Sequence, residues 1–204
     1  PGAVAYAGPY LATGQWERIG TTPIEAARVP RGVIRLRFEL EGYTPLELGT
    51  FEWMPTDSTY RLVPTAADTA DMVWVPGGDD PLVIPGLEHV EPPALSGFWI
   101  DRLEVTNREF KRFIDAGGYE ALELWVEPFV RGGRRLEFAE AIARFTDRTG
   151  RQGPATWEAG DYPDGEADHP VTGISWYEAA AFANWAGKRR PTVFHWNRAA
   201  GTLL

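Results

Sequence analysis

The sequence predicts an α+β chain in two parts: a small all-β, sandwich-like domain, then a larger region in which strands alternate with short capped helices. Three observations predict it. Val33 to Leu40 reads VIRLRFEL, which alternates apolar and charged residues with the two-residue period of a half-buried strand. Thr106 with Glu109, and Ser175 with Glu178, have capping-box spacing, where the hydroxyl accepts from the third helical N–H and the glutamate reaches back to the capping amide. Glycines stand where the two capped helices should stop, at Gly117–Gly118 and at Gly187.

The first 65 residues read as strands, because Gly20, Pro23, Pro30, Gly32, Gly42 and Pro45 punctuate them at the short intervals of a small antiparallel domain. Thr65 to Ala70 is small and polar, as a linker is. Apolar structure restarts at Met72 to Gly78, and the proline-rich stretch from Leu82 to Pro93 reads as irregular. Phe98, Ile100 and Leu103 give a short strand, after which Thr106 opens a helix with Phe110, Phe113 and Ile114 on one face. Leu136 to Phe145 sets Ala139, Ile142 and Phe145 on one helical face. Ser175 caps a helix over Trp176–Ala186, and a last helix starts at Pro191 or Thr192 and stops at Gly201.

A length of 204 residues fits one large or two small domains, and the elements divide it as 1–64, a linker at 65–70, and 71–204. The absence of cysteine excludes disulfides, thiolate metal sites and a cysteine nucleophile within these residues. A net charge of −9 argues against a nucleic-acid partner, since phosphate recognition needs clustered positive charge. RGGRR at Arg131 to Arg135 is a basic cluster, and it reads as a solvated loop. No run of about 18 apolar residues spans a membrane. The chain begins at Pro1 without methionine and ends just beyond a helix, so a piece of a longer protein is expected.

Of the candidate chemistry, the metal readings are the weakest. His89, His169 and His195 have no second histidine at helical or hairpin spacing, so structural roles are expected, with His169 at a strand entry; an iron site of two histidines and one carboxylate assembled by the fold stays open, without support from local spacing. The acidic stretches at Gly78 to Asp80 and Asp161 to Asp168 lack the twelve-residue calcium-loop pattern and read as solvated turns. No glycine-rich phosphate loop is present. Nine tryptophans remain. Trp185 and Trp196, in helices, are expected in the core; Trp125 and Trp157, in loop-like segments, are the better candidates for a binding surface. No residue is assigned as catalytic, cofactor-binding or metal-binding.

Three segments carry a resemblance. Gly97 to Tyr119, GFWIDRLEVTNREFKRFIDAGGY, resembles the start of a formylglycine-generating-enzyme-type (sulfatase-modifying factor) domain, a variant of the C-type lectin fold. His169 to Gly201, HPVTGISWYEAAAFANWAGKRRPTVFHWNRAAG, is similar to that family's stretch of Pro-Val strand, Ser-Trp-capped helix and Gly-Lys-Arg turn. Phe145 to Gly160, FTDRTGRQGPATWEAG, resembles the subset found in bacterial proteins with an N-terminal serine/threonine kinase. The resemblance covers roughly residues 71–204, and Trp16 to Pro45 resembles PEGA-type β modules.

The resemblance implies copper-dependent oxidation of a sulfatase cysteine for full members, with copper on a cysteine pair in the C-terminal half; related domains include iron-dependent sulfoxide synthases and lectin-like modules. This chain has no cysteine and reads Thr192-Val193-Phe194-His195 where the family commonly has Pro-Thr-Glu. The expectation is therefore a chain with no cofactor of its own, copper or iron being a matter for a complete parent. Its partner is a protein, peptide or glycan, in the extracytoplasmic part of a membrane-anchored bacterial protein. The alternative is the scaffold half of an oxidoreductase.

Overall fold

The computed structural model describes all residues except 12–13, 51–58, 67–68, 70, 79–83 and 204, and the backbone alone for 201–203. Part of the 65–70 linker, of the acidic Gly78–Asp80 stretch and of the start of Leu82–Pro93 thus lies outside the described residues. The chain forms two compact units, one of residues 1–102 with 191–204 and one of residues 103–190.

In the first unit, β1 (Val4–Pro9), β2 (Glu17–Thr21), β3 (Ile34–Glu39) and β4 (Leu46–Gly49) form one antiparallel sheet in the order β2-β1-β3-β4. The alternation read in VIRLRFEL sets its two faces. Ala5 lies opposite Phe38, and Leu36 lies between Ala7 and Leu48, which gives an apolar face on which Ala5, Ile34, Leu46 and Leu48 are buried. The other face is polar: Arg35 and Arg37 both reach Glu47, at 2.7 and 3.2 Å, and the Arg35 guanidinium stands 4.8 Å from the Trp16 ring. β5 (Met72–Val75) pairs with β6 (Phe98–Asp101), setting Trp74 opposite Trp99 with ring centroids 5.4 Å apart. The strand read at Met72–Gly78 ends at Val75, and β6 ends before Leu103, which is exposed. Helix α4 (Val193–Leu203) packs on β4 and β5, and it runs through Gly201, where the sequence placed its stop.

The second unit holds α1 (Asn107–Asp115), α2 (Phe138–Ile142) and α3 (Trp176–Trp185). Both capping boxes form as read, Thr106 with Glu109 and Ser175 with Glu178, each stabilising its helix start by about 1 kcal/mol. Both helices also end as read. Gly117 donates to the Ile114 carbonyl and Gly118 to that of Phe113, while Gly187 donates to Asn184 and Lys188 to Ala183, the paired bonds of a Schellman motif. Gly118 has a second reason to lack a side chain, because a Cβ there would fall 2.1 Å from the Phe113 ring. The helix read at Leu136–Phe145 is the five-residue α2, with Ile142 buried and Ala139 exposed. RGGRR is a tight hairpin rather than a plain loop: β7 (Val130–Arg131) pairs with β8 (Arg134–Arg135) around Gly132 and Gly133, both at positive φ, as a two-residue hairpin turn requires.

The core of this unit is aromatic. Phe110, Phe113 and Trp157 are fully or almost fully buried, with Tyr119, Trp125 and Phe129 packed beside them. No helix among the described residues is long and apolar enough to cross a membrane.

Candidate functional site

Three buried polar groups organise the 103–190 unit. Asn107, at the first turn of α1, donates from Nδ2 to the Glu166 carbonyl at 2.8 Å and accepts from the Trp157 indole N–H at 3.1 Å. Asp147, in the loop read as FTDRTGRQG, accepts at one carboxylate oxygen from the Thr149 N–H, the Thr149 hydroxyl and the Arg151 N–H, and at the other from the Gly160 N–H, all within 2.7–3.0 Å. Desolvation would raise its pKa, but the Gly160, Thr149 and Arg151 donors outweigh it and hold the carboxyl at about 2. Glu178 is buried on α3, accepts from the Tyr119 hydroxyl at 2.5 Å and closes the Ser175 box; desolvation dominates there and raises its pKa, and burial beside Glu178 raises that of Tyr119 too.

These groups are satisfied by the protein itself and hold loops in place. Asp147 was legible only as part of a resembling segment, although an Asp two residues before Thr and three before Gly is the local pattern of a side chain that bonds its own turn.

The tryptophans reverse the expectation from sequence. Trp125 and Trp157 are buried, with indole N–H groups donating to the Gly118 carbonyl and to Asn107. Their loops turn inward over the helices, so a loop-borne tryptophan is here the core. Trp196 in α4 is 61% exposed, whereas Trp185 is 37% exposed with its ring packed on Phe113 and Phe182 as expected of a core residue. Trp176, at the start of α3, is 52% exposed. Above its ring, 3.8 Å from the centroid, sits the guanidinium of Arg190, and Tyr177 stands edge-on at 5.3 Å. The Tyr177 hydroxyl accepts from the Val130 N–H and donates to the Pro128 carbonyl, which ties the exposed Val130 to the same surface. This stacked pair of ring and cation is the candidate site, and it had no signal in spacing, because Trp176 and Arg190 meet only when the turn after α3 folds back.

The histidines take separate structural places. His169 accepts through its carbonyl from the Asn107 N–H next to the isolated Thr106–Pro170 bridge, and the strand expected after it is reduced to that single bridge. His195 lies in α4, its ring 2.6 Å from the Thr192 hydroxyl and 4.8 Å from Phe98, and His89 is exposed. Of the acidic stretch, Asp168 pairs with Arg108 and Asp161 closes a turn with Glu158.

Residues 59–203 match the Sulfatase-modifying factor enzyme 1-like domain. The chain belongs to this family. This sulfatase-modifying-factor-type chain is 36% identical over 140 residues to a formylglycine-generating enzyme of Thermomonospora curvata, covering 61% of the chain and 44% of the relative. It is 35% identical over 128 residues to a hercynine oxygenase of Mycobacterium tuberculosis, covering 63% and 29%. With the serine/threonine-protein kinase Pkn1 of Chlamydia trachomatis it shares 32% identity over 134 residues, covering 64% and 19%. The chain thus spans less than half the length of these relatives. No solved structure matches it.

The copper that the family implies needs a thiolate pair, and these 204 residues hold no cysteine. For iron, no group of three or more histidine or carboxylate side chains comes together among the described residues. Copper thiolates are thus lacking in these residues, and an iron-binding set is lacking among the described ones.

Proposed function

We propose that this chain acts in recognition of a peptide, protein or glycan, as part of a multidomain bacterial protein of the kinase-linked kind. The observation that carries the reading is the Trp176–Arg190 pair, a large ring and a cation held at the surface of a unit whose loop tryptophans, Trp125 and Trp157, are buried. The kinase Pkn1 among its relatives supports the signalling context. A second reading is favoured by the relatives named formylglycine-generating enzyme and hercynine oxygenase: the chain is the scaffold half of an oxidoreductase, whose metal donors lie outside these residues. As domains we propose a PEGA-like β module at 1–64, a linker at 65–70, and the N-terminal part of a lectin-like domain at 71–204.

Binding of the full-length protein to peptide and glycan panels tests the proposal against turnover of a cysteine peptide. Saturable binding without thiol oxidation is the expected result; metal-dependent oxidation, with no ligand bound, is the result that overturns it.

A further inference from the structure

We infer that the Trp176–Arg190 face takes an acidic peptide segment, with a carboxylate on the Arg190 guanidinium and an adjacent apolar or aromatic side chain against Trp176. The inference rests on the recognition role proposed above and names its ligand.

The geometry sets the chemistry. The central carbon of the Arg190 guanidinium stands 3.8 Å from the Trp176 ring centroid, on a half-buried side chain whose N–H donors lie in the plane of the group. Among the described residues no ion pair or hydrogen bond uses those N–H groups, whereas other arginines of the unit are taken: Arg108 by Asp168, and Arg134 and Arg144 by Glu140. A guanidinium held against a ring is the fork that carboxylates bind through two parallel bonds, and the ring contact has already restricted the side chain whose freedom binding would otherwise remove. In a chain of net charge −9, this cation has no acid paired to it among the described residues. The second half of the ligand follows from Trp176 itself, 52% exposed, next to Tyr177 and the exposed Val130. An acid alone would leave that ring wet; an acid beside an apolar side chain covers it. Trp and Arg are also the residue types over-represented among interface residues that dominate affinity.

The test uses the full chain and a fluorescein-labelled random copolymer of glutamate and tyrosine, read by anisotropy, with polyglutamate and a lysine–tyrosine copolymer as comparators. The glutamate–tyrosine copolymer should bind tightest, and Trp176→Ala and Arg190→Gln should each weaken it at least about tenfold, as loss of a dominant interface residue does. Arg190→Lys, which keeps the charge but not the planar fork, should restore only part. Circular dichroism establishes that each variant is folded, and should Trp176→Ala fail to fold, Arg190→Gln decides alone. Binding that survives both substitutions, or equal binding of the lysine–tyrosine copolymer, overturns the acidic ligand and leaves recognition standing elsewhere on the chain. No binding to any peptide or glycan probe overturns both.

Discussion

Replacing Asn107 with alanine should destabilise the 103–190 unit more than its small side chain suggests. The side chain is 96% removed from solvent, since its relative exposure is 4%, and it serves two buried partners at once. Alanine leaves the Trp157 indole N–H, on a side chain with 1% exposure, and the Glu166 carbonyl without their bonds of 3.1 and 2.8 Å. Each orphaned group costs about 1–3 kcal/mol, so the pair costs about 2–6 kcal/mol. Glu166 is only half-buried, which places the expected loss at the lower end, about 2–3 kcal/mol. For a unit of this size that lowers Tm by about 10–20 °C. Urea denaturation followed by circular dichroism measures it, and Trp157→Phe supplies the second arm of a cycle. Phenylalanine has no N–H to orphan, so Asn107→Ala should cost about 1 kcal/mol less in that background. A loss below about 0.5 kcal/mol, or strict additivity of the two substitutions, would refute the reasoning.

Other substitutions test the rest of the framework. Gly118→Ala should disrupt the end of α1, because its Cβ meets the buried Phe113 ring at 2.1 Å; a loss of about 1–3 kcal/mol is expected in a melting experiment, and an unchanged Tm would contradict the close approach. Asp147 has its pKa lowered to about 2, so its contribution is present above its ordinary value of 3.8 and is lost as pH falls through about 2; Asp147→Asn should flatten that acid limb in a titration of stability. Glu178 has the opposite sign. With its pKa raised above 4.5, its contribution is full below that value and lost as pH rises through the folded pKa, so Glu178→Gln, which keeps a capping acceptor, should gain on the natural protein as pH increases. A stability difference between the two that does not change with pH would count against the desolvated carboxylate.

Much of the fold was legible because local rules and tertiary packing agree there. The capping boxes at Thr106 and Ser175 and the glycines after α1 and α3 are satisfied within a turn of chain, so sequence alone locates those helices closely. The alternation in β3 likewise gave its two faces. What failed depended on contacts between distant segments. The length of α2 is set by how Leu136 and Ile142 enter the aromatic core, and α4 continues through Gly201 because its packing on β4 and β5 outweighs one poor helix former. Trp125 and Trp157 were misplaced because burial of a loop is decided by its hydrogen bonds to Gly118 and Asn107, which no local pattern reveals. The same limit hid the candidate site: Trp176 and Arg190 are fourteen positions apart, and only the turn at Gly187 brings them together.

The central claim, that this member of a sulfatase-modifying-factor family recognises a ligand rather than oxidising cysteine, is tested most directly on the full-length protein. It would be incubated with copper and a cysteine peptide, with conversion of thiol to aldehyde followed by mass spectrometry. The account predicts no aldehyde, with the peptide thiol recovered intact. Copper-dependent aldehyde formation would contradict it and make these residues the scaffold of an oxidase.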